Sequence, residues 1–125
     1  MQGAFSSYQQ SMSDKITSSS PEELIVMLYD GMVSKIRQAK ERFEAGQEVR
    51  AKESVIKAMK IADALMENLN FEEGGETAKN LEKLYYFVIH ELAEANRANQ
   101  PQPKLENALR VIEPLHEGWK ALAKH

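Results

Sequence analysis

SSSPEELIVMLYDG, residues 18 to 31, reads as the start of a helix and poses the problem of this chain. Ser20 stands at an N-cap position and Pro21 at the first helical position. Glu23 falls three residues after the cap, where its carboxylate can return a hydrogen bond. Leu24, Ile25, Val26, Met27, Leu28 and Tyr29 then follow without a polar break. At about 100° per residue, such a run goes all the way round the helix. A helix lying on one core needs a single apolar stripe, so the other side of this run requires cover.

Working outward, the spacing predicts a first helix from Pro21 to about Ala45. Leu24, Leu28, Met32, Ile36, Ala39 and Phe43 share one face, and Gly46 provides the stop. A second helix is expected from Glu48 to about Leu69, with Val55, Met59, Ala62, Met66 and Leu69 on its inner stripe. NFEEGGE, Asn70 to Glu76, reads as a loop marked by the Gly74-Gly75 pair. A third helix follows from Glu76 to about Ala98, its seam formed by Leu81, Leu84, Tyr85, Val88, Leu92 and Ala95. NQPQP, Asn99 to Pro103, breaks the chain. A fourth helix runs from Lys104 to about Lys124 with Leu105, Leu109, Ile112, Leu115 or His116, Trp119 and Leu122 in phase. Pro114 lies inside that last pattern, so a kink near Arg110 to Pro114 is expected rather than a stop.

Short connections favour antiparallel neighbours, and no strand pattern competes. The expected fold is all-α: an antiparallel up-down-up-down four-helix bundle over residues 21–125. Residues 1–20 are polar and serine-rich, a flexible leading segment. Even so, Phe5, Tyr8, Met12 and Ile16 recur at helical spacing. The stripe is too short to hold a helix alone, so it is read as a cap able to dock on apolar surface of the bundle.

Composition limits the function. The chain has 125 residues and a net charge of −3, so nothing basic suggests a nucleic-acid partner. The absence of cysteine removes disulfides, thiolate zinc sites and cysteine nucleophiles. The N-terminus lacks the basic and apolar regions of a signal peptide, and no apolar run approaches the ~20 residues that span a bilayer. A cytoplasmic protein without membrane insertion is expected.

Catalytic readings fare poorly. Glu113 and His116 have the Glu-x-x-His spacing of bundle di-iron sites, but no second pair exists, so a surface glutamate beside a core-edge histidine is expected. His90 is the mid-helix candidate for phosphoryl relay, yet Glu91 and Glu94 follow it, and like charge would repel a phosphohistidine. The Gly74-Gly75 pair lacks the Lys-Ser/Thr of a phosphate loop. Neither an enzyme nor a cofactor is expected.

Surplus apolar surface remains. LYYFVI, Leu84 to Ile89, repeats the pattern of the first run and leaves Tyr86, Phe87 and Ile89 off the seam. Ile56, Ile61 and Leu65 lie off the second helix's inner stripe. A bundle core uses about three apolar positions in seven per helix, so this excess points to a partner surface, a homodimer face or cover from the same chain.

Several stretches resemble the flagellin export chaperone family, FliS. They are Ser20-Pro21-x-x-Leu24 leading into Met27-Leu28-Tyr29-Asp30-Gly31, the Asn70 to Glu76 loop followed by Asn80-Leu81 and Leu84-Tyr85, and a late Trp119. The likeness extends over essentially the whole chain. It implies a chaperone of the bacterial cytosol that binds the C-terminal segment of flagellin, prevents premature polymerisation and assists export. Other flagellar export or regulatory proteins are further partners by the same analogy. The residues expected to meet the partner are Tyr8, Ile16, Leu24, Ile25, Leu28, Tyr29, Asp30, Tyr85 and Tyr86. Asp30 is expected to accept a backbone or tyrosine hydrogen bond, and Tyr29→Ala to weaken binding more than it unfolds the bundle. The alternative outside chaperones is a self-associating bundle with a homodimer face.

Overall fold

A computed structural model describes residues 20–124. It contains four helices: α1 (Pro21–Glu44), α2 (Glu48–Glu67), α3 (Phe71–Arg97) and α4 (Gln102–Ala123). No strand occurs among the described residues. Helix α1 packs on α2 and α4, and α3 completes the ring by packing on the same two. Side-chain links from α1 to α4 join Lys40 to Glu106, Arg37 to Glu113 and Asp30 to His116. Numbers fall along one helix as they rise along the other, so the two are antiparallel. The all-α four-helix bundle is the observed fold.

The start of α1 forms as its local chemistry dictates. Ser20 Oγ accepts the Glu23 N–H at 3.2 Å, and Glu23 Oε1 accepts the Ser20 N–H at 2.9 Å, closing a capping box. The backbone bond to Ser20 is the main reason the Glu23 carboxyl lies below the usual range, its side-chain bond with Ser20 adding to it. At the other end Gly46 takes φ 76°, left-handed geometry that suits glycine, and the chain reverses into α2.

Two connections differ from expectation. Asn70 Oδ1 caps the Glu73 N–H at 3.1 Å, so the expected loop begins with a helical turn from Phe71. The turn is broken at Gly75, whose φ 52° and ψ −126° are open to glycine almost alone. Helix α4 starts at Gln102, earlier than expected, because Pro103 sits in the first turn, where a missing N–H leaves nothing unpaired. The same helix continues through Pro114 to Ala123. Pro114 and Arg110 are both exposed, so water can serve the carbonyl that the proline leaves without a donor.

Tyr29, Met32, Ile36, Val55, Val88, Leu92, Leu105 and Ile112 are the largest apolar side chains of the fully buried centre. Ile61 and Leu65, expected off the inner stripe of α2, are buried, and Ile89 is half-buried against the core. The reason is the square packing. Each helix has neighbours on two flanks, so more than one narrow stripe is covered. Ile56 does stay exposed.

Candidate partner-binding surface

The first turns of α1 divide the Leu24–Tyr29 run into layers. Tyr29 is 0% exposed. Ile25 and Leu28 are half-buried and pack against the core from its edge, while Leu24 is 39% exposed. The second run, Leu84–Ile89 on α3, divides more sharply. Tyr85 is buried, whereas Tyr86 is 59% and Phe87 43% exposed. Apolar surface thus reaches solvent along both runs.

Beneath this surface the two buried tyrosines meet. Their hydroxyls are 2.6 Å apart and their rings lie tilted at 52° with centroids separated by 6.4 Å. Burial pushes both phenols above the ordinary tyrosine range, most strongly Tyr29, where the neighbouring Tyr85 adds to the effect and the Trp119 side chain opposes it. Both therefore remain neutral and act as hydrogen-bonding core residues.

On its other side the Tyr29 ring stacks on His116, with centroids 6.1 Å apart and planes 15° from parallel. His116 Nε2 in turn reaches Asp30 Oδ1. A carboxylate only accepts, so Nε2 carries the proton of that bond. Asp30 was expected to accept from backbone or tyrosine; its donor is instead a histidine on the facing helix. Stacking and hydrogen bond together fix the last turns of α4 against the first turns of α1. The four groups are a structural pin across three helices.

The sequence-predicted residues thus fall into three sets. Leu24, Ile25, Leu28 and Tyr86 lie at or near the surface, with Asp30 exposed beside them. Tyr29 and Tyr85 lie below, inside the core. Tyr8 and Ile16, together with Phe5 and Met12 of the expected cap, lie outside the described residues. The complete burial of Tyr29 reverses the order of effects expected of Tyr29→Ala: loss of packing comes first.

Most of the residues weighed for chemistry have structural partners. Glu113 pairs with Arg37, and His116 with Asp30. Glu91 turns inward, where it accepts from Asn107 Nδ2 at 2.8 Å with Lys104 Nζ at 3.9 Å, and Glu94 pairs with Arg97. His90 is exposed. Among the described residues no group of three or more His, Cys, Asp or Glu side chains is placed to hold a metal ion. No helix of the described residues is long and apolar enough to cross a membrane.

Sequence reasoning missed the tyrosine pair and the Asp30–His116 link. The available signal was an acid and a tyrosine side by side in an apolar run, each needing a polar partner from elsewhere.

The class defined so far is an antiparallel four-helix bundle with apolar surface along two of its helices. The family model of Flagellar protein FliS matches residues 4–125, nearly the entire chain. A flagellar secretion chaperone FliS of Salmonella typhimurium is 36% identical, over 92% of this chain and 85% of its own length. The flagellar secretion chaperone FliS of Vibrio cholerae is 30% identical over 95% of this chain and 88% of its own. FliSB of Pseudomonas aeruginosa, also a flagellar secretion chaperone, is 31% identical over 96% and 95%. This chain belongs to the FliS family, whose named members are chaperones rather than enzymes.

Proposed function

We propose that this protein is a cytosolic export chaperone that binds the C-terminal segment of flagellin, keeps it from polymerising early and assists its export. The observation that carries the reading, given the family, is the Leu24–Tyr29 run. Its inner side fills the core, and its outer side presents Leu24 with half-buried Ile25 and Leu28 to a partner. An amphipathic segment that is unfolded when free gains its structure by laying apolar anchors on such helical surface. The ordering cost subtracts from affinity, which suits cargo that must later be released.

In this reading Leu24, Ile25 and Leu28 form the wall of the groove, and Tyr86 adds aromatic surface. Tyr29 and Tyr85 act from below by holding α1 and α3 in register, and Asp30, through His116, holds α1 to α4. Phe5, Tyr8, Met12 and Ile16, within residues 1–20, cover the groove of the empty chaperone, with Tyr8 and Ile16 rearranging to meet the cargo. Residues 21–125 form the binding domain. Other flagellar export or regulatory proteins are further partners.

Isothermal titration with a peptide of the last ~40 residues of a flagellin, beside a scrambled control, tests the reading. One-to-one binding with a negative heat-capacity change is expected. No heat with any flagellin tail would sink it. Deleting residues 1–15 should change that affinity and raise hydrophobic-dye binding; no change in either removes the cap.

A further inference from the structure

The two flanks of α1 are unlike in charge. Toward α4, Arg37 pairs with Glu113 and Lys40 with Glu106. Toward α2, the heptad series Leu28, Lys35, Arg42 runs along the helix and meets the series Arg50, Lys57, Ala64 on α2. Arg42 fixes the alignment: its Nη1 donates to Ser54 Oγ at 2.6 Å and reaches the Arg50 carbonyl at 3.4 Å. Lys57 lies two turns beyond Arg50, and Lys35 two turns before Arg42, so antiparallel packing brings the two lysines to facing edges of α1 and α2. Neither lysine, nor Arg42, makes an ion pair among the described residues, and Glu53, a turn from Lys57, is joined to none of them.

Their proximity has an electrostatic signature. Burial, then the charges of Lys57 and Arg42, hold the Lys35 ammonium below the usual lysine range, and no carboxylate opposes them. Lys57 and Arg42 therefore press on Lys35 with like charge, on a chain whose net charge is −3. The arrangement costs the free bundle stability, and an occupant bearing negative charge would relieve it. Further along the same flank toward the start of α1, the surface turns apolar at Leu28 and Leu24.

We propose that the α1–α2 flank receives an acidic stretch of the bound segment, a helix whose apolar anchors lie against Leu24 and Leu28 and whose carboxylates, one to two turns away, lie against Lys35, Lys57 and Arg42. This rests on the reading of the chain as a flagellin chaperone and specifies the chemistry its cargo must carry. A protein segment fits better than nucleic acid. The cations span only about 10 Å, seven residues at 1.5 Å each, on a molecule of negative net charge. Charges at such a rim act mainly on association rate and salt dependence, so they set which segment docks and in which direction.

The test is titration of the full-length chain with a flagellin C-terminal peptide at low and high salt, using wild type, Lys35→Gln/Lys57→Gln, and a peptide whose acidic residues are replaced by glutamine. At low salt the double variant should bind roughly three- to tenfold more weakly, chiefly through slower association. The difference should vanish near 0.5 M salt, where screening acts over only about 4 Å. The neutralised peptide should bind wild type and variant alike. The melting temperature of the variant should stay level or rise, since a repulsion is removed. Equal affinity of wild type and variant at low salt overturns the proposal while leaving the chaperone reading standing. No binding by wild type at either salt overturns both.

Discussion

Leu24–Tyr29 and Leu84–Ile89 are the same kind of sequence with different outcomes. Each is an unbroken run of apolar and aromatic residues, and each sends one tyrosine into the core, where the two tyrosines bond to each other. The rest diverges. On α1 the outer residues stay half-buried except Leu24, while on α3 Tyr86 and Phe87 stand well out in solvent. An over-apolar helix therefore marks no single kind of surface. Its excess can be taken up by the flank of a neighbour or left open, and only the open part is available to a partner at no cost in core packing.

The comparison can be broken at its shared centre first. Tyr29→Ala should destabilise the bundle by roughly 3–5 kcal/mol, lowering the melting temperature by roughly 10–20 °C, because it empties a fully buried site. A thermal melt that moves by only a degree or two would mean that this tyrosine is not core.

Alkaline titration is the next test. Both buried phenols are raised above their unfolded value of about 10, so their contribution is complete below that pH and falls as pH rises beyond it. The loss should reach up to about 1.4 kcal/mol per pH unit for each phenol, and their phenolate absorbance should appear only with unfolding. Tyr85→Phe should flatten that slope; phenolate forming in the folded bundle for all tyrosines would contradict the pairing.

A smaller effect is expected from Tyr85→Phe at neutral pH, about 1–2 kcal/mol, because the Tyr29 hydroxyl loses its partner in a buried place. Combining it with Tyr29→Phe should cost less than the sum of the single changes, a coupling that chemical denaturation of the four variants reads directly.

Smallest for stability and most telling for function are Leu24→Ser and Tyr86→Ala. Each should change stability by no more than about 0.5 kcal/mol, since the side chain is exposed. Each should weaken flagellin-peptide binding by roughly 1–2 kcal/mol where it serves as an anchor. A loss at Leu24 with none at Tyr86 would confine the cargo to the α1 start. The opposite result would move it to α3.

The capping residues, the helical spacing, Gly46 and the run Leu24–Tyr29 were enough to place four helices and their order, because caps and periodicity act between residues no more than about four apart. Motif resemblance likewise pointed to the family. What the sequence left open was which side of each rich helix would be covered. Ile61 and Leu65 are inside and Ile56 outside, although all three lie off the stripe read from spacing. The partners of Tyr29 and Asp30 stand 56 and 86 positions away, and the like charges facing each other at Lys35 and Lys57 sit on different helices. Such contacts depend on the rotation and height at which helices pack. Those are settled by the fit of the whole core, so tertiary structure alone decided which tyrosines are buried and which flank carries unpaired charge.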